Sequence, residues 1–235
     1  KDGTGLWITS SFFNHSCISN TSSWFLGDLM AIVNTRFIKA GEEVTVSYVS
    51  ARDSLKDRRK AMQSYNFTCN CELCIMETGL DEKRLDALMD KYDREIAPRI
   101  RRCDLRVIPL LERHIESMKK VYAKHSQSQF LFKVIDMMCG LALLYDCQGR
   151  MKDSVKIYEE AFTLDSNIRN IIDYVDGREM GATVYISPEL ELLACHIELG
   201  YKKLGNRKKV SKWARILALL KKLKGVDFNK GHILS

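Results

Sequence analysis

Proline is scarce in this chain of 235 residues, with only 3, and glycine is held to 13. Collagen-like and low-complexity architectures need these residues in quantity, so both are excluded. No apolar run nears the ~20 residues that cross a bilayer. The longest clean stretches, such as Ile32-Val33 and Leu217 to Leu220, are only a few residues. The chain opens Lys1-Asp2-Gly3, without Met and without an apolar signal core. Acidic residues are in deficit: 37 Lys and Arg against 30 Asp and Glu leave +7. That excess favours acidic partners, but spread over this length it does not imply dedicated nucleic-acid binding. What the chain does have is 46% hydrophobic and 29% charged residues, a helix-leaning globular composition with ample material for a packed core.

The eight cysteines are unevenly placed. Cys69, Cys71 and Cys74 form one tight Cys-x-Cys-x-x-Cys, whereas a secreted disulfide framework is usually small and Cys-dense throughout. A reducing compartment and a metal site fit this pattern better. Zinc takes four ligands in a tetrahedron and the cluster offers three. Cys17, the other cysteine of the non-helical portion, stands beside His15 and is the best candidate for the fourth. Cys103, Cys139, Cys147 and Cys195 fall singly on amphipathic stretches and are expected to behave as small core hydrophobes.

Residues 1–50 read as strand and turn. Leu29 to Val33 is a short apolar run, Lys39-Ala40-Gly41-Glu42 a turn, and Val44, Val46 and Tyr48 alternate with polar partners as in a half-buried strand. Residues 51–64 predict a short charged helix capped by Asp53 or Ser54. From about residue 80 the period becomes helical. Leu85, Leu88, Met89, Tyr92 and Ile96 mark one amphipathic helix; Ile108, Leu111, Ile115, Met118 and Tyr122 mark another, after an expected break near Pro98. Leu141, Ala142, Tyr145, Gly149, Tyr158 and Ala161 have the spacing of a tetratricopeptide helix pair, and Tyr201, Gly205 and Ala214 echo it. The two glycines are 56 positions apart, with irregular sequence at Asp176-Gly177 and Ser187-Pro188 between them, so a clean tandem array is excluded. A basic stretch from Arg207 to Lys224 surrounds Trp213, Ile216, Leu217 and Leu220. Its expected role is a solvated helix face, in preference to an electrostatic footprint for nucleic acid or membrane.

Three motifs follow one another in the first third of the chain. They are Asn14-His15-Ser16-Cys17-Ile18-Ser19-Asn20, then Gly41-Glu42-Glu43-Val44-Thr45-Val46-Ser47-Tyr48, then Tyr65-Asn66-Phe67-Thr68-Cys69. Each is weak alone, and their order gives them force. Together they resemble the C-terminal half of a SET domain with its cysteine-rich post-SET tail. The likeness is greatest to SET-and-MYND proteins and to fungal-type proteins joining SET to tetratricopeptide-like helices. The resemblance implies an α+β fold: residues 1–50 as the C-terminal half of SET, 51–80 as the zinc-binding post-SET segment, and 81–235 as an all-α tetratricopeptide-like domain.

It further implies a protein-lysine methyltransferase that uses S-adenosylmethionine and a structural zinc. Tyr48 matches the catalytic tyrosine and Tyr65 a wall of the lysine channel. Asn14, His15 and Phe67 match cofactor contacts, and Cys17, Cys69, Cys71 and Cys74 match the zinc ligands. Ser19 stands where the family often has Pro, which bears on loop stiffness and on no ligand. Gly3-Thr4-Gly5 lies too close to Asn14 to be the glycine-rich cofactor loop of a complete SET domain. The expectation is therefore half an active site, with unpaired strand edges, exposed apolar surface, and reduced stability or self-association. Expected partners are a histone or non-histone protein with a target lysine and a protein in the helical groove, in the nucleus or cytoplasm, with no membrane and no specific nucleic acid. The reading from another class is a non-catalytic zinc-containing helical scaffold.

Overall fold

The computed structural model describes residues 5–35, 38–123, 131–164 and 188–223, with two short antiparallel strands at Val226–Asp227 and His232–Ile233. Gly3-Thr4, Asp176-Gly177, Ser187 and Lys224 lie outside the described residues. The chain divides into two units, Lys1–Glu82 and Lys83–Ser235. No helix among the described residues is long and apolar enough to cross a membrane.

In the first unit, β1 (Asn14–His15) runs parallel to β4 (Thr45–Val46), with Asn14 opposite Thr45. The antiparallel hairpin β2 (Thr21–Leu26) and β3 (Leu29–Asn34) lies between them in sequence. The strand expected over Val44 to Tyr48 contracts to Thr45–Val46 because side chains supply much of the surrounding pairing. Buried Asn20 donates from Nδ2 to the Glu43 carbonyl (2.8 Å) and accepts from the Thr45 N–H at Oδ1 (2.8 Å). Thr21 Oγ1 donates to the Thr45 carbonyl (2.6 Å). These bonds weld the segment after β1 to β4 and leave few buried polar groups unmatched.

The core of this unit lies mainly between two short helices and the cysteine cluster. α1 (Leu55–Met62) begins at Ser54, whose side chain accepts from the Asp57 N–H, and α2 (Glu72–Thr78) begins at Cys71. Leu55, Met62, Leu73, Met76 and Leu80 are buried with Cys17 and Cys74. Leu6, Phe12, Phe25 and Leu29 are mostly exposed, so the strand-rich portion carries the expected apolar surface.

In the second unit α3 (Glu82–Lys91) passes through one π turn, Tyr92–Ile96, into α4 (Ala97–Arg101). The expected break at Pro98 is therefore absent. The proline sits in the first turn of α4, immediately after the wide turn, where an intrahelical N–H partner is dispensable. The chain reverses instead at Cys103, which has φ 50°. α5 (Ile108–Tyr122), α6 (Phe132–Cys147), α7 (Met151–Thr163), α8 (Pro188–Lys203) and α9 (Arg207–Leu223) follow. Consecutive helices pack on one another: α5 on α6, α6 on α7, α7 on α8 and α8 on α9. Leu111, Met118, Leu144, Phe162, Ile197 and Ile216 are among the fully buried core residues.

The sequence echo between the last two helix pairs has a physical counterpart in their caps. Gly149 and Gly205 have φ 77° and 70°. In each turn the next residue's N–H reaches a tyrosine carbonyl, Arg150 to Tyr145 (2.9 Å) and Asn206 to Tyr201 (3.0 Å). That 6→1 bond requires a left-handed residue at the glycine. Trp213, Ile216 and Leu220 turn one side of α9 inward, and Lys209 pairs with Glu159 (3.2 Å). Arg207, Lys208, Arg215 and Lys221 are exposed, so among the described residues the basic stretch lies largely on the outer side of a packed helix.

Candidate active site and metal centre

The short parallel pairing of β1 with β4 sets the site. It carries His15 to the segment that follows β4, and the Tyr48 N–H donates to His15 Nδ1 (3.0 Å). With Nδ1 accepting, the ring proton sits on Nε2, which lies 3.3 Å from Cys17 Sγ. Burial is the main cause lowering the His15 pKa below its ordinary value, so the neutral ring is favoured. The Tyr48 hydroxyl donates to the Phe13 carbonyl (2.6 Å).

The chain then returns through α1 to present two more aromatic rings. Asn66 adopts the left-handed conformation, φ 57°, which asparagine tolerates better than most residues. Tyr65 and Phe67 flank it. Tyr65 packs on Tyr48 with ring centroids 4.8 Å apart, and Phe67 lies 5.9 Å from His15, itself 5.1 Å from Tyr48. Tyr65 is 52% exposed and Phe67 39% exposed, so both rings keep accessible surface. Asn14 neighbours His15, but its Nδ2 donates to Glu43 Oε1 (2.6 Å), because consecutive strand residues project to opposite faces. The structure therefore gathers His15, Tyr48, Tyr65 and Phe67 into one cluster, with Asn14 on its edge.

Beside the rings stand Cys17, Cys69, Cys71 and Cys74, whose sulfurs all lie within 4.8 Å of one another. Cys17 is 3.6 Å from Cys74 and 3.9 Å from Cys69. A tetrahedron with metal–sulfur bonds of about 2.3 Å has edges of about 3.8 Å, so the donor set fits a tetrahedral thiophilic ion such as Zn2+. Hydrogen bonds from Cys17 and Cys74 hold the Cys71 thiol well below its ordinary range, while the bond to Cys71 raises Cys17. Within the cluster the thiolate is thus favoured at Cys71 and disfavoured at Cys17 and Cys74.

Sequence reasoning missed the charged support beneath these sulfurs. Arg58 is 1% exposed; its Nη2 donates to Glu77 Oε2 (2.6 Å) and lies 3.8 Å from Cys74 Sγ, while Nη1 donates to the Asp53 carbonyl (2.7 Å). Glu77 is fully buried. The available signal was positional: Arg58 falls three residues after Leu55 and four before Met62, on the buried side of α1. Buried Asn20 offered no comparable signal, because its partners, on Glu42, Glu43 and Thr45, are distant in sequence.

Residues 1–49, which carry β1 to β4 and with them His15, Cys17 and Tyr48, match the SET domain family model. The chain is similar, more particularly, to SET-and-MYND protein-lysine methyltransferases. A SET and MYND domain-containing protein of Dictyostelium discoideum is 35% identical over 81 residues, covering 33% of this chain and 16% of that protein. The histone-lysine N-methyltransferase SMYD3 of Mus musculus is 38% identical over 73 residues, 31% of this chain and 17% of its own length. The N-lysine methyltransferase SMYD2 of Gallus gallus is 28% identical over 172 residues, 66% of this chain and 39% of its own length. The chain thus aligns with well under half the length of each of these relatives.

Proposed function

We propose that this chain supplies the catalytic tyrosine, part of the S-adenosylmethionine pocket and a zinc-pinned tail to a SET-class protein-lysine methyltransferase. The observation carrying this reading is the packing of His15, Tyr48, Tyr65 and Phe67 beside the four sulfurs. The exposed faces of Phe67 and Tyr65 suit an adenine ring and a lysine side chain respectively. When bound, S-adenosylmethionine supplies an electrophilic methyl group on a sulfonium.

Methyl transfer to an amine is an in-line displacement, so alignment of a neutral nitrogen matters more than acid–base chemistry. The Tyr48 proton is engaged by the Phe13 carbonyl, which leaves the hydroxyl oxygen to accept an N–H of the incoming amine. Holding that N–H would orient the amine and leave its lone pair pointing away from Tyr48, free to act as nucleophile. Tyr65 walls the channel, excludes water, and offers a π face to the cationic methylated product. Asn14 and His15 complete the cofactor contacts. Cys17, Cys69, Cys71 and Cys74 hold the zinc, fixing the segment that bears Phe67 against the one that bears Asn14.

The substrate in this reading is a lysine on a histone or another protein, met in the nucleus or cytoplasm. The helical unit acts as a tetratricopeptide-like groove for a protein partner. In the full-length protein, Tyr48→Phe should lower methyl transfer from labelled S-adenosylmethionine to protein lysines by about 10–100-fold, or roughly 1.4–2.7 kcal/mol in barrier. Calorimetric affinity for the cofactor should be little altered. Unchanged turnover would remove Tyr48 from its role, and absence of cofactor binding in the parent protein would leave the scaffold reading.

A further inference from the structure

Cys103 and Cys147, expected as separate core residues, are both exposed, and their sulfurs approach to 3.3 Å. They lie 44 positions apart in sequence. Each is fixed on a capped helix end. Cys103 is the left-handed residue closing α4, its N–H donating to the Ile100 carbonyl (2.9 Å) while the Asp104 N–H reaches Arg99 (3.0 Å). Glycine is the unstrained choice at such a position, so a β-carbon is carried there against local preference. The Asp104 carboxylate steadies the turn, accepting from Arg99 Nε (3.0 Å) and Arg106 Nε (2.8 Å). Cys147 ends α6, where the Gln148 N–H donates to the Leu144 carbonyl (3.0 Å) and Arg150 to Tyr145 (2.9 Å). Closing a disulfide needs the sulfurs to move from 3.3 Å to about 2.05 Å.

We propose that Cys103 and Cys147 form a reversible disulfide by exchange with a small anionic disulfide of the oxidised-glutathione class. Cys147 donates its S–H to Cys103, and that bond, followed by partial desolvation, holds the Cys147 thiol above its ordinary value. Cys103 is then the attacking sulfur. Its thiolate bonds to one sulfur of the small disulfide, breaking that S–S bond and releasing one thiolate. Cys147 next loses its proton and attacks the Cys103 sulfur, forming the internal bond and expelling the second thiolate. Two protein thiols are oxidised, one small disulfide is reduced to two thiols, and the protons pass to those products. The exposed Arg101 and Arg102, immediately before Cys103, attract the carboxylates of such an oxidant. The bond ties the corner between α4 and α5 to the end of α6, so the second unit becomes stiffer under oxidation. This assignment is independent of the methyltransferase reading.

The test uses the whole chain, incubated with oxidised glutathione, alkylated, digested without reduction and mapped by mass spectrometry. Mapping assigns each bond, which keeps the other six cysteines out of the result. The expected finding is a Cys103–Cys147 linked peptide that dithiothreitol releases, with the melting midpoint of the helical unit raised by about 5–10 °C. Cys147→Ser should abolish both. Cys103→Gly, which suits the left-handed backbone, should fold at least as stably when reduced and show no rise on oxidation. Glutathione adducts without the internal bond, a cross-link between chains, or a linked pair without a melting shift would each overturn the proposal.

Discussion

Arg58 brings a guanidinium into the buried side of a helix, where its charge is balanced by fully buried Glu77. An isolated buried charge is far more costly than a matched pair, so removing one partner costs more than the pair's own attraction. Arg58→Met should destabilise the first unit by about 3–5 kcal/mol in denaturant titration, and a second change, Glu77→Leu, should recover much of that loss. If the single and double variants unfold alike, Glu77 is not the stranded charge. The same residue-scale logic governs Tyr48, whose proton is directed by one carbonyl, and Asn20, whose amide substitutes for strand pairing.

At the scale of elements, α5 contains a buried histidine whose charging opposes folding. His114 is 4% exposed, stacks on Tyr92 at 5.9 Å, and its Nε2 finds no hydrogen-bond partner among the described residues. Burial lowers its pKa, Lys91 adds to the lowering, and Glu95 partly opposes it. The sign follows: the folded state prefers the neutral ring, so this contribution is fully present above the unfolded value of about 6.5. It is lost as pH falls from there through the lowered folded pKa, at no more than about 1.4 kcal/mol per pH unit. Melting of the helical unit between pH 7.5 and 5 should therefore drop in the native chain and drop less in His114→Phe. An equal drop in both would place the acid sensitivity elsewhere. α3 and α4 carry a further lesson at this scale, since a proline read as a break is absorbed by a neighbouring π turn.

For the whole molecule, two units with separate buried residues predict two kinds of response to metal removal. The sulfurs of Cys17 and Cys74 are part of the first unit's core, and the proposed zinc would contribute folding energy there, about 10 kcal/mol in small zinc domains. Stripping with a strong chelator should lower the unfolding midpoint of that unit sharply. The helical far-UV signal, which comes mainly from a core without those cysteines, should keep its own transition. Four thiols titrated by a sulfhydryl reagent only after chelation would confirm the ligand count. A single unchanged transition, or four thiols reactive before chelation, would argue against a structural zinc.

Local spacing made much of this legible. The Cys-x-Cys-x-x-Cys cluster, the apolar period of the long helices and the serine cap of α1 could all be read from neighbouring residues, whereas the motifs around His15, Tyr48 and Phe67 drew their force from their order and the family resemblance. Each of the first three depends on chain geometry over a few residues, and such geometry is written in the sequence itself. Tertiary structure decided the rest. The tautomer of His15, the burial of Arg58 against Glu77 and the approach of Cys103 to Cys147 join residues 19 to 44 positions apart. The sequence alone determined which groups were available and on which elements they would lie. Only folding decided which of them meet, because distant contacts depend on how every intervening element packs, and no local pattern records that.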